Sequence, residues 1–145
     1  MSDRAFVDTN ILMYAHDTAA GVKHERARAL VEELWRKRSG VVSTQVLQEF
    51  CVNLRRKSGH PLDTKRVREV ITDYLSWRVV VNDEESILQA LDLEERYQIS
   101  FWDALVIYAA TVSGAETLYS ENFSNGQMYD SVKVVNPLVG HCSQR

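Results

Sequence analysis

What most constrains this chain is the alternation of very short apolar runs with longer stretches of helical periodicity. The runs Arg4–Val7, Val41-Val42, Arg78–Val81, Thr117–Tyr119 and Val132–Val135 have strand length and are bounded by polar or turn-forming residues. Between them lie segments with apolar residues three and four apart. Asn10–His16 is the first. Lys23–Lys37 carries Ala27, Leu30, Val31, Leu34 and Trp35 on one face. A third segment, capped by Ser43 or Thr44, carries Val46, Leu47, Phe50, Cys51 and Leu54. Asp63 opens a fourth, with Val67, Val70, Ile71, Tyr74 and Leu75. Asn82 or Asp83 caps a fifth, whose apolar face reads as Ile87, Leu88, Leu91 and Leu93, and Phe101–Ser113 is the sixth, stopped by Gly114. Ser39-Gly40, the loop around Ala20-Gly21 and Ser58-Gly59-His60-Pro61 punctuate the pattern. Five short strands separated by helices predict an α/β fold with a mostly parallel sheet covered on both faces. Ligands of such sheets bind outside the carboxyl ends of the strands.

A chain of 145 residues is expected to form one domain, 1–145, with the tail after Pro137 (138–145) peripheral. No apolar run approaches the ~20 residues of a membrane span, and Met1-Ser2-Asp3-Arg4 leads straight into a strand pattern rather than a signal sequence. Cys51 and Cys142 show neither metal-ligand spacing nor a disulfide framework, so a reduced, cytoplasmic setting is expected. The four histidines (His16, His24, His60, His141) form no H-x-x-x-H pair, which argues against zinc; His16 reads as a surface residue. Phosphate-binding glycine loops and Ser or Cys nucleophile signatures are absent. The net charge of −3 argues against a whole-molecule field that draws in nucleic acid, while leaving room for a local basic groove.

Three carboxylates stand out. Asp8 ends the apolar run Ala5-Phe6-Val7, Glu49 lies between Leu47 and Phe50-Cys51, and Asp103 precedes Ala104-Leu105-Val106-Ile107. Taken singly, each has an ordinary structural role. Asp8 can cap the following helix, Ser100-Phe101-Trp102-Asp103 has the spacing of a capping box, and Glu49 can pair with Arg55 or Arg56. Taken together at one sheet rim they are costly, since two carboxylates ~4 Å apart repel by ~4 kcal/mol at an effective dielectric of 20. A divalent cation offsets that repulsion, and an oxygen-only ligand set suits Mg²⁺ or Mn²⁺. Thr9, Asn10 and Ser120 are placed to orient the carboxylates.

These residues carry a resemblance. Phe6-Val7-Asp8-Thr9-Asn10-Ile11-Leu12 resembles the opening of PIN-domain ribonucleases. Gln48-Glu49-Phe50 resembles their second acidic motif and Phe101-Trp102-Asp103-Ala104 the third. Leu118-Tyr119-Ser120-Glu121-Asn122-Phe123, followed by Gly126, resembles the fourth. The order and spacing match from Arg4 to about Pro137, and the size is similar to that of VapC-like toxins of toxin–antitoxin pairs. The resemblance implies a three-layer α/β/α sandwich and cleavage of single-stranded RNA with Mg²⁺ or Mn²⁺. It also implies a homodimer, and inhibition by a small antitoxin protein that reaches into the acidic site. Asp8, Glu49 and Asp103 are thereby implied as metal ligands, and these three with Asn122 as catalytic residues, with Thr9, Asn10, Ser120 and Glu121 in support. One position departs from the pattern: where the family often has an Asp, this chain has Asn122, which can hold a water or accept a hydrogen bond but adds no charge.

The basic groups Arg36-Lys37-Arg38, Arg55-Arg56-Lys57 and Lys65-Arg66-Val67-Arg68 read as solvated helix faces or, more sharply, as phosphate contacts for RNA; Arg55 and Arg56 are the candidates. Trp102, beside Asp103, is the candidate for stacking on a base. Two other functions fit less of the pattern. A non-catalytic PIN-like module binding RNA or protein is suggested by Asn122. A receiver-like phosphoacceptor needs adjacent acids after its first strand, where this chain has Thr9-Asn10.

Overall fold

The structure, a computed structural model, describes residues 3–57 and 61–139. The break expected at Ser58-Gly59-His60-Pro61 falls mostly outside the described residues, as do His60, His141, Cys142 and most of the tail 138–145. The elements follow the expected alternation: β1 (Ala5–Val7), α1 (Thr9–Ala15), α2 (Val22–Lys37), β2 (Gly40–Ser43), α3 (Thr44–Arg56), α4 (Thr64–Tyr74), β3 (Arg78–Val80), α5 (Glu84–Tyr97), α6 (Phe101–Val112), β4 (Thr117–Tyr119), β5 (Met128–Tyr129) and β6 (Val132–Val135). A 3₁₀ turn, Thr18–Ala20, fills the loop before α2.

The sheet has six strands rather than five, in the order β3-β2-β1-β4-β6-β5. All neighbours are parallel except β5, which folds back on β6 as an antiparallel edge. Two residues, Met128-Tyr129, are too few to show a period, which is why β5 is invisible in the sequence. Every residue of β1 and β2 is buried. Successive strand residues point to opposite faces, so helices cover both sides, as an α/β/α sandwich requires. Helix α6 lies on β2, β4 and β6, while α2 and α3 lie on β2.

The chain runs outward from β1 through β2 to β3, then returns to place β4 on the other side of β1. The carboxyl ends of β1 and β4 therefore flank the point where the winding reverses, the crevice in which open parallel sheets bind ligands. Asp8 follows β1 and Ser120 follows β4.

One helix face differs from its periodicity. Helix α5 buries Ser86, Ala90 and Leu93, and leaves Ile87, Leu88 and Leu91 about half exposed. It packs on α6, whose facing run is rich in alanine. A side with Ala90 at its centre lets two helices approach more closely than a leucine side would. His16 also departs from expectation. It is half-buried beside Phe50, and its Nε2 lies 2.8 Å from the Tyr74 hydroxyl, away from the acidic rim. Burial holds its imidazole below the ordinary value.

Candidate active site

A cavity of about 560 Å³ opens at the switch point and brings together Asp8, Thr9, Asn10, Glu49, Trp102, Asp103 and Asn122. Those residues come from β1–α1, α3, α6 and the segment after β4. Among the described residues, no Lys or Arg is on its wall.

Asp8 is the buried acid. Its backbone N–H continues the β-ladder to the Tyr119 carbonyl (3.0 Å), which fixes the residue at the rim. Its side chain caps α1, Oδ1 accepting from the Thr9 N–H at 2.8 Å. Oδ2 accepts from the Ser120 hydroxyl at 2.8 Å and from the Asn10 amide at 3.3 Å. Capping and a place in the acidic site therefore coexist in one residue. Burial pushes the carboxyl up to about 6 from an ordinary 3.8; the bonds from Ser120 and Thr9 oppose the rise, and the charges of Glu49 and Asp103 add to it.

Glu49 faces the open cavity from α3. The Thr9 hydroxyl donates to its Oε1 at 2.9 Å, so Thr9 links two carboxylates, one through its amide and one through its side chain. The Gln45 amide donates at 3.3 Å both to Glu49 Oε2 and to the Trp102 carbonyl, tying α3 to the start of α6. Asp103 sits in the first turn of α6, where its N–H donates to the Ser100 hydroxyl at 3.0 Å. Half-burial raises its carboxyl, the Ser100 hydroxyl opposes the rise, and Glu49 adds to it. The energetic argument for misplaced acids therefore applies in full to Asp8, whereas Glu49 and Asp103 face the cavity.

Ser120 is buried and donates to Asp8, while its Oγ accepts from the Asn122 N–H at 3.1 Å. Glu121 is not brought in. Its backbone N–H donates to the Asn10 side chain, but its carboxylate pairs with Lys23 at 3.3 Å, and it does not line the cavity. Asn122 takes that place with a neutral amide. Arg55 and Arg56 lie beyond the wall. Gln45, Gln48, Glu49, Val52 and Asn53 line it at helical spacing, and Arg56 is the next residue on that face whereas Arg55 is not. Trp102 stands 62% exposed at the mouth. Gln45 and Asn53 escape a reading of acidic motifs, although each lies one turn from Glu49 on the same helix.

Among the described residues no three His, Cys, Asp or Glu side chains close into a ready-made ligand cluster. The donor chemistry nevertheless fits a hard divalent cation: three carboxylates on a wall without a positive side chain, one of them held protonatable near pH 6 by its surroundings.

An α/β/α domain with acids gathered where the sheet winding reverses is the architecture of the PIN nucleases. The chain belongs to the PIN domain family, whose model matches residues 5–123. Its fold is also that of VapC structures. It is similar to VapC20 of Mycobacterium tuberculosis, described as a sarcin-ricin loop cleaving toxin, with a TM-score of 0.62 and 23% identity over 83% of this chain and 91% of that one. A toxin–antitoxin complex from Klebsiella pneumoniae superposes with a TM-score of 0.64 and 17% identity over 92% and 97% of the two chains. VapBC2 from Rickettsia felis, bound to a DNA fragment from its promoter, gives 0.63 and 15% over 90% and 96%. At these identities the likeness is one of fold. No curated protein matches the chain in sequence.

Proposed function

We propose that this protein is a metal-dependent endoribonuclease of single-stranded RNA, acting as the toxin of a toxin–antitoxin pair. The observation that carries the reading is the buried Asp8 carboxyl gathered with Glu49 and Asp103 in one cavity, whose wall has no Lys or Arg among the described residues. Asp8, Glu49 and Asp103 would hold Mg²⁺ or Mn²⁺. When bound, such an ion supplies positive charge to phosphate oxygens and makes water a better nucleophile at neutral pH. The chain's own residues do the positioning. Ser120 and Thr9 fix the two oxygens of Asp8, Thr9 and Gln45 fix those of Glu49, and Asn122 offers a neutral amide to a water or a phosphate oxygen. Trp102 would stack on a base entering the cavity, and Arg56 would meet a phosphate along the α3 face.

A small antitoxin is the expected inhibitory partner, because an acid-lined cavity accepts a basic side chain as readily as a cation. The half-exposed stripe Ile87, Leu88 and Leu91 on α5 supports a homodimer. No helix among the described residues is long and apolar enough to cross a membrane.

The test is cleavage of labelled single-stranded RNA in Mn²⁺, with and without chelator. Asp8→Asn and Asp103→Asn are expected to abolish cleavage, and Asn122→Ala to weaken it. The products should carry 5′-phosphate and 3′-hydroxyl ends. Asn122 also favours the second reading, a non-catalytic module that binds RNA or protein. RNA binding without metal-dependent cleavage would select that reading.

A further inference from the structure

Arg38 belongs to a basic run that the acidic site does not use, and it leads to the opposite pole of the sheet. A second cavity, of about 380 Å³, lies at the amino ends of three adjacent strands. Arg4 precedes β1, Arg38 and Ser39 precede β2, and Arg78 starts β3; Trp35 and Trp77 complete the wall. Asp8 stands four residues from Arg4 along the first strand, so this cavity is ~13 Å from the acidic rim at the usual rise per strand residue.

Its chemistry is the reverse of the first. Three arginines line it, and no Asp or Glu among the described residues does. Arg38 and Arg78 take part in no ion pair among the described residues, although neighbouring Arg36 and Lys37 both pair with Glu33. Arg4 donates from its Nη1 to the Ser113 carbonyl at 2.8 Å, outside this wall. A guanidinium can only donate. A wall of donors is complementary to a ligand that only accepts and carries negative charge.

The backbone points the same way. Arg38 ends α2 at φ 57, in the left-handed conformation, where its N–H and that of Ser39 close the helix on the Trp35 and Leu34 carbonyls. Glycine is the residue this position favours on conformational grounds. An arginine stands there and lines the cavity.

We propose that this cavity is an anion site for a phosphate group, held by Arg38 and Arg78 with Arg4 in support. The group belongs either to a free phosphate or nucleotide or to the backbone of bound RNA. Three arginines favour phosphate over a carboxylate, which two donors of one guanidinium already satisfy.

The probe is inorganic phosphate, titrated against chloride at constant ionic strength with chelator present, so that the acid-lined cavity takes up no anion through a metal. Tryptophan fluorescence and melting temperature report binding, since Trp35 and Trp77 line the site. Arg38→Gly and Arg78→Gln should each raise the dissociation constant at least tenfold. Arg38→Gly should do so without lowering the melting temperature in phosphate-free buffer, because glycine relieves the positive φ; this separates a lost site from a damaged fold. RNA cleavage then names the source. A raised KM with unchanged kcat in both variants assigns the phosphate to the substrate, and unchanged KM assigns it to a free anion. A native protein whose fluorescence and melting ignore phosphate, or variants that respond as it does, would overturn the proposal. The titration has no activity readout, so it stands or falls separately from the ribonuclease reading.

Discussion

Replacing Asp8 by Asn should stabilise the metal-free protein at pH 8 while abolishing its activity. The folded-state carboxyl titrates at about 6 against an ordinary 3.8, so above pH 6 folding holds a charge in a place that disfavours it. The gap corresponds to ~3 kcal/mol at ~1.4 kcal/mol per pKa unit. Asn is nearly isosteric and removes that charge. It keeps an acceptor for the Thr9 N–H but turns an amide toward Ser120 and Asn10, a mismatch of ~1 kcal/mol. The net gain is ~2 kcal/mol, or roughly 6 °C in melting temperature for a domain of this size. The sign with pH follows from linkage. Between pH 6 and 4 the folded state binds a proton that the unfolded state releases, so this group adds stability as the pH falls and removes it as the pH rises. Thermal melts in chelator at pH 5 and pH 8 should show the gap between variant and native protein closing at the lower pH. In Mn²⁺ the order should reverse, because the native protein alone gains by binding the ion. A variant that melts below the native protein at pH 8 in chelator would refute the premise that Asp8 is held there at a cost.

Gly40 lies under the Trp77 ring, and a Cβ added there would come within 2.5 Å of it. Gly40→Ala should therefore lower stability by about 1–3 kcal/mol in a denaturant melt, with the acidic site left intact. Arg56→Gln should weaken RNA binding and flatten its dependence on salt by about one phosphate contact, while Arg55→Gln should do neither; equal effects would place the RNA off the α3 face. Asn122→Asp should tighten Mn²⁺ binding by calorimetry if this position completes the metal shell, and leave it unchanged if Asn122 serves RNA instead.

Much of the fold is legible in the sequence because strand and helix periods differ so plainly here. Val41-Val42 and the helices around it need no tertiary information to be placed. The face of α5 is not legible, since period locates an apolar stripe but not the partner that selects between it and a neighbouring one. Ile87 and Leu88 outweigh Ala90 in hydrophobicity, yet Ala90 permits the closer helix contact. The cavity residues Asp8, Glu49 and Asp103 can be named because an acid beside core residues is conspicuous. Gln45 is not conspicuous, since amides on a helix surface are common and its bridge to Trp102 spans 57 residues. Glu121 misleads for the opposite reason. It is the charged member of Glu121-Asn122, and only the position of Lys23, 98 residues away, shows where that charge goes.

Thr9 has a consequence for the entropy of ligand capture. A glutamate on an exposed helix face samples several rotamers, and freezing them on binding costs ~0.5–1.5 kcal/mol. Here the Thr9 hydroxyl already holds Glu49 Oε1 at 2.9 Å while the same residue's amide holds Asp8 at 2.8 Å. Two acids 41 positions apart in sequence are thus registered against one residue at the root of α1, and Glu49 has given up much of its freedom when the chain folds. The ordering is done during folding, so less of it remains to be done when a ligand arrives.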